Sequence, residues 1–185
     1  MNERTAFDFV LRDARESDVP TITAIYGHEV AIESASWELD PPSETEILAR
    51  YRSVTGHGYP YVVAVADHRV VGYAYASAYR PRPGYRYTVE DSVYIAPDAR
   101  GRGVARTLLR YLINACSARG YRQMVAVIGG TEQAASIGLH RAEGFVEVGR
   151  LPDIGRKFDR WLASVLMQRA LGDGSTTAPA VIGET

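Results

Sequence analysis

The segment Val93-Tyr94-Ile95-Ala96-Pro97-Asp98-Ala99-Arg100-Gly101-Arg102-Gly103-Val104-Ala105 constrains this chain more than any other. An apolar strand stops at a proline, turns through two glycines set among arginines, and opens a helix. On that helix Val104, Leu108, Leu112 and Cys116 recur four apart, forming one apolar face. Glycine lets the main chain bend sharply and approach a ligand closely. The first N–H groups of a helix have no partner within it. The two together converge on a point that suits a pyrophosphate. The spacing is neither the Gly-x-Gly-x-x-Gly dinucleotide fingerprint nor a phosphate loop ending in Gly-Lys-Ser/Thr, and a solvated basic turn would satisfy it equally.

The flanking sequence alternates strand and helix signals. Phe7 to Leu11 reads as a short strand, and Ser17 or Asp18 caps a helix carrying Val19, Ile22, Tyr26 and Val30 on one face. Ser43 and Glu46 form a capping box for a second helix, with Leu48, Tyr51 and Val54, ending near Gly56 to Gly58. Tyr61 to Ala66 and Val70 to Tyr79 are strands joined through Asp67-His68-Arg69. In the second of these Tyr73, Tyr75 and Tyr79 alternate with Ala74, Ala76 and Ala78, one face bulky and one small. A loop with proline and glycine, Arg80 to Tyr85, precedes a strand from Tyr87 to Ile95. The helix after the glycine turn runs to Arg119 and stops at Gly120. Gln123 to Ile128 follows as a strand, Ala134 to Glu143 as a helix, and Phe145 to Val148 and Trp161 to Gln168 as strands. The class is α/β, an α+β mixed sheet whose early part is antiparallel. Residues 1–171 are expected to form a single domain and 172–185, rich in Gly, Ser, Thr and Ala, a flexible C-terminal tail.

Bulk composition narrows the partners. A net charge of −1 gives no general attraction to nucleic acid or an anionic membrane, so any positive field is local. No apolar run reaches spanning length, and Met1-Asn2-Glu3-Arg4-Thr5 leads into no apolar signal core. Cys116 is the one cysteine, which excludes an internal disulfide and fits a reducing cytoplasm; it falls on an apolar helix face and reads as core. His28, His57 and His68 show no metal-ligand spacing, so no metal is expected.

Arg100-Gly101-Arg102-Gly103-Val104-Ala105 resembles the Arg/Gln-x-x-Gly-x-Gly/Ala motif of the GCN5-related N-acetyltransferases (GNAT), and the element order agrees with that fold. More narrowly, Tyr87 to Ile95, Val125-Ala126-Val127-Ile128, Ala134 to His140 and Gly155 to Leu162 look like the phosphinothricin and methionine sulfoximine acetyltransferase group. The resemblance covers about residues 9 to 171. It implies a mostly antiparallel central sheet flanked by helices, acetyl-CoA as the acetyl donor, and a homodimer. Two positions depart from the group: Gln133 stands where Asn is usual, after one extra residue in the Gly129 to Gln133 loop, and Ala163 stands where Asp is usual.

The resemblance also implies roles. An ammonium has no lone pair with which to attack a thioester, so a base must take its proton. Glu90 matches the group's general base. Val93, Tyr94 and Ile95 would offer main-chain groups to the pantetheine arm and polarise the acetyl carbonyl. Arg100, Gly101, Arg102, Gly103, Val104, Ala105 and Arg106 would hold the pyrophosphate, and Gln133 would touch the cofactor from the next strand's exit. Arg80, Pro81 and Arg82 lie in the loop facing this strand, where a guanidinium suits a substrate carboxylate, and Asp91 and Ser92 adjoin Glu90. His140 and Tyr94 are candidates to protonate the leaving thiolate. The expected activity is acetylation of a small amino acid or analogue. A protein N-terminus, a polyamine, or a coenzyme A sensor without turnover stand as alternatives.

Overall fold

The computed structural model describes residues 7–34, 36–130 and 133–180. The Met1 to Thr5 reading lies outside them, as do Thr131 and Glu132 of the loop expected to hold one extra residue. Among the described residues seven strands form one sheet in the order β1-β2-β3-β4-β5-β7-β6. They are β1 (Val10–Asp13), β2 (Tyr61–Ala66), β3 (Arg69–Ala78), β4 (Thr88–Ile95), β5 (Gln123–Gly129), β6 (Val146–Lys157) and β7 (Arg160–Ala170). The helices are α1 (Val19–Ile32), α2 (Glu44–Gly56), α3 (Val104–Ala118) and α4 (Ala134–Ala142). β4 and β5 run parallel, and every other neighbouring pair is antiparallel.

Local chemistry explains most boundaries. The Ser43 hydroxyl accepts from the Glu46 amide while Glu46 returns to the Ser43 amide, which starts α2. Asp67 and His68 take φ of +48° and +61°, the two-residue hairpin geometry that matches strand twist. Gly120, at φ +87°, ends α3. The tyrosine face of β3 turns toward α1 and α2: the Tyr73 ring stacks on Tyr94, whose edge meets Tyr26 of α1. The small face lies under α3, where Gly72 approaches Leu108 and Ala74 and Ala76 are fully buried. Cys116 sits in this core, its thiol pushed up to about 12 by burial.

Two strands differ from the sequence reading. The first begins at Val10 rather than Phe7, because Val10 already pairs with Val65 and only Ala66 remains of β2 beyond it, too little strand for Phe7 to Phe9 to extend the ladder. The strand expected over Phe145 to Val148 runs on to Lys157. Gly149, Pro152 and Gly155 break its alternation, but β6 is a sheet edge with register shifts at Glu147/Gly149 and Leu151/Gly155, where such residues are tolerated.

Candidate active site

β4 and β5 pair only over Thr88 to Glu90, opposite Gln123 to Val125. Beyond Glu90 each strand keeps its outer partner, β4 staying on β3 and β5 staying on β7 as far as Gly129. The two strands therefore part, leaving a cleft of about 700 Å³ with Asp91 to Ile95 on one wall and Ala126 to Gly129 on the other. The β3–β4 register is unbroken, and it is bracketed by Ala96 N–H donating to Val71 and Tyr79 N–H donating to Thr88. Even-numbered residues of β4 thus bond to β3. The N–H and C=O groups of Val93 and Ile95 turn toward the cleft, a free strand edge for an extended ligand arm. Tyr94, between them, bonds to β3 and sends its ring into the tyrosine stack.

The glycine turn closes one end. Gly101 and Gly103 have φ of +71° and +85°, and nothing lies within 4 Å of where a Cβ would stand on either. Gly103 is the N-cap of α3, so no side chain covers the first amides of that helix, and its first turn carries no acidic residue. A bound phosphate would find main-chain N–H donors and the positive end of the helix dipole there. The arginines around the turn are already engaged. Arg100 pairs with Glu29 and, at 3.2 Å, with Glu33; Arg106 Nε donates to Glu143 at 2.5 Å; Arg102 lies over the Phe7 ring. The amides, with the exposed Arg102 guanidinium that has no carboxylate partner among the described residues, are what the turn offers an anion.

Glu90 stands where the strands diverge, its side chain 31% exposed. Burial raises its carboxyl above the ordinary range; Arg80 pulls it back, and Asp91 pushes it up again. Arg80 Nη1 is 4.0 Å from Glu90 Oε2, and the guanidinium also donates to the Tyr79 carbonyl. The other cleft carboxylates have closer cations: Glu29 and Glu33 have Arg100, Glu38 has Arg50 at 2.5 Å, and Asp91 has His140. His140 Nε2 lies 3.0 Å from Asp91 Oδ2 and Nδ1 lies 2.8 Å from the Ser136 carbonyl, so both ring nitrogens face acceptors. A proton on each makes the ring an imidazolium whose N–H groups are both spent inside the protein.

Most residues singled out in the sequence meet here. Glu90, Asp91, Ser92, Val93, Tyr94, Ile95, Arg100, Gly101, Gly103, Val104, Ala105, Arg106 and Gln133 line the cleft, as does His140. Arg80 reaches it through Glu90, while Pro81, Arg82 and Arg102 are outside the lining. Gln133 donates to the Ser34 hydroxyl at 3.3 Å.

The sequence reading passed over the segment after α1. Glu33, Ser36, Trp37 and Glu38 form a further wall, with Tyr26 and Tyr75. Ser34 rests against Gly129 and Gly130, and Trp37 against Gly155. Lys157, 3% exposed, donates to the carbonyls of Glu33 and Ser36 at 3.0 and 2.9 Å. No periodicity marks this wall; a tryptophan in a polar loop, with glycines far along the chain, is its only trace.

Residues 22–145 match the model of the acetyltransferase (GNAT) family. The chain is 53% identical to a phosphinothricin N-acetyltransferase of Alcaligenes faecalis, over 91% of this chain and 86% of that one. It is 42% identical to an L-methionine sulfoximine/L-methionine sulfone acetyltransferase of Pseudomonas paraeruginosa, over 91% and 98%. A crystal structure of a GNAT superfamily phosphinothricin acetyltransferase from Sinorhizobium meliloti, in complex with AcCoA, superimposes with a TM-score of 0.91 at 48% identity, covering 94% of each chain.

Proposed function

The chain belongs to the acetyltransferase (GNAT) family and is an acetyl-CoA-dependent N-acetyltransferase, and we propose that it acetylates the amine of a small amino acid or analogue, of the phosphinothricin and methionine sulfoximine type, with Glu90 as general base. The observation that carries this reading is the state of Glu90. Among the described carboxylates of the cleft it alone lacks a cation closer than 4.0 Å, and burial raises its proton affinity. A base poised in this way takes a proton from an ammonium more readily than an exposed carboxylate does.

The cleft fits acetyl-CoA on this chain's own geometry. The amides at Gly101 to Val104 suit the diphosphate, and the free edge of Val93 and Ile95 suits the pantetheine arm. When bound, acetyl-CoA supplies the thioester that the amine attacks. Arg80, beside Glu90, holds the acceptor's carboxylate and so sets its amine near the base. His140 cannot readily give a proton to the leaving sulfur, both its N–H groups being committed. Tyr94 is held above its ordinary range by burial and keeps its hydroxyl proton, which leaves it the better candidate of the two.

The paired acids also weigh against a polyamine acceptor: with Glu29, Glu33, Glu38 and Asp91 neutralised by neighbours, the cleft offers no strip of free negative charge. The exposed apolar hairpin of β6 and β7, with Leu151, Ile154, Phe158 and Trp161, supports a homodimer, and the buried thiol of Cys116 suits a reducing cytoplasm. No helix among the described residues is long and apolar enough to cross a membrane.

The test is Glu90→Gln, assayed by thiol release across amino acids and their analogues. Turnover should fall by about 10²–10⁴ while acetyl-CoA still binds. An unchanged rate overturns the role of Glu90. Release stimulated only by polyamines or peptides, or by no amine, overturns the acceptor class.

A further inference from the structure

Arg100 leaves the phosphate turn and crosses to the C-terminal end of α1, where it pairs with Glu29 of the helix and with Glu33, its C-cap. Glu29 is 7% exposed, so this is a built contact rather than a surface pairing. Four residues beyond it, Glu33 begins the segment that becomes the Trp37 wall of the cleft. A second link runs in parallel: Gln133, at the far side of the cofactor cleft, donates to Ser34 of the same segment. Two residues placed for the cofactor therefore hold the Trp37 wall, which lines the same cleft as Glu90. The Glu38 of that wall acts on Tyr75 as Glu90 does, the side that the reading above gives to the acceptor. A guanidinium forked between two carboxylates fixes both direction and distance, which a single flexible contact would not.

Resting on the acceptor reading above, we propose that Glu29, with Glu33, makes Arg100 a strut between the phosphate turn and the Trp37 wall, so that filling the cofactor cleft tightens acceptor binding. Glu29 is a positioning residue here: it touches Arg100 and acts through it. Coupling of this kind is reciprocal, because each ligand must favour the same placement of the segment.

The experiment measures binding of L-methionine sulfone by calorimetry, with and without saturating coenzyme A, in the wild type and in Glu29→Gln. In the wild type coenzyme A should lower the Kd of the sulfone about tenfold, within the usual range for coupled sites. In Glu29→Gln the ratio should fall close to one, whatever the affinity for coenzyme A alone. A ratio that survives the substitution overturns the strut, as does a ratio of one in the wild type. A loss of melting temperature with the ratio intact assigns Glu29 a purely structural role and overturns it too.

A second readout separates this from the acceptor class. In a Trp161→Phe background Trp37 is the remaining tryptophan. Coenzyme A alone should shift its emission in the wild type and not in Glu29→Gln. Should the sulfone bind neither protein, the acceptor reading fails and the emission alone decides the strut. Glu33→Gln, whose carboxylate is 34% exposed, should lower the ratio in the same direction by less and serves if Glu29→Gln does not fold.

Discussion

His140 and Asp91 form a buried hydrogen-bonded pair across 3.0 Å, one member on α4 and the other on β4 just past the point where β4 leaves β5. Asp91 Oδ1 has no hydrogen-bond partner among the described residues, so His140 is what holds this carboxylate in place. Burial alone would lower the imidazole pKa. The hydrogen bond and charge of Asp91, with the Ser136 carbonyl, outweigh it and raise the pKa above 6.5. A raised folded-state pKa contributes stability that is complete below the unfolded value and disappears as pH climbs through the folded one. The melting-temperature advantage of the wild type over His140→Gln should therefore be largest below pH 6.5 and shrink into the alkaline range. His140→Leu, which strands the carboxylate, should cost about 3–5 kcal/mol by chemical denaturation.

With Glu90 as the base proposed above, Arg80 is expected to set the pH at which it works. Its charge, 4.0 Å away, lowers a carboxyl that burial has raised. A general base acts when deprotonated, so kcat/KM rises with pH through that pKa. Arg80→Met should move the acid limb to higher pH. It should also raise KM for a carboxylate-bearing acceptor about tenfold or more, as expected for losing a hydrogen bond to a charged group, roughly 1.5–3 kcal/mol. Acid limbs that coincide in the two proteins would mean that Arg80 does not act on Glu90.

The sequence made β4 and the glycine turn legible and the Trp37 wall opaque, for a physical reason. The glycine turn is one contiguous stretch whose spacing carries its geometry, and the roles of Val93 to Ile95 and Glu90 beside it came with the family resemblance. The splay that creates the cleft is a matter of which strand each of β4 and β5 keeps as partner, and no local pattern records that choice. The Trp37 wall is built from residues more than a hundred positions apart, Trp37 on Gly155 and Ser36 on Lys157. Arg100 was legible as part of the motif, but its reach to Glu29 was not, since a motif fixes the main chain and leaves the guanidinium to whatever packs above it.

The expectation of a loose segment from Gly172 onward leads to another test. Arg122, at the mouth of β5, donates to the carbonyls of Gly174 and Ala178, each at 3.3 Å, and to the Thr177 hydroxyl at 3.1 Å. The expected tail thus has one anchor between residues 174 and 178; residues 181–185 lie outside the described ones. Arg122→Ala should speed proteolytic clipping in this segment. It should lower the melting temperature by roughly 2–4 °C if the anchor is worth about 1 kcal/mol, without altering KM for either substrate. Clipping equally fast in both proteins would show that the anchor does not hold.

Gly155 offers the sharpest probe of the Trp37 wall, because it lies outside the cleft lining yet dictates where a lining residue can be. A Cβ at this position would overlap the six-membered ring of Trp37. Its φ is not in the left-handed region, so the penalty for Gly155→Ala comes from this contact and not from backbone strain. The hairpin cannot readily yield, since Gly155 pairs with Leu162 and Lys157 pins the segment from two carbonyls. The indole must move instead. Overpacking of this order should cost about 1–3 kcal/mol of stability. Displacing a wall by about an ångström should lower kcat/KM for the acceptor up to about a hundredfold. The phosphate turn itself is untouched, so any loss of binary acetyl-CoA affinity should stay within the roughly tenfold that coupling through Arg100 transmits, well short of the loss on the acceptor. Trp37→Ala should produce a similar loss and remove the effect of Gly155→Ala when the two are combined, a non-additive pair. Additive losses would mean that Gly155 acts on the cleft by some route other than the indole.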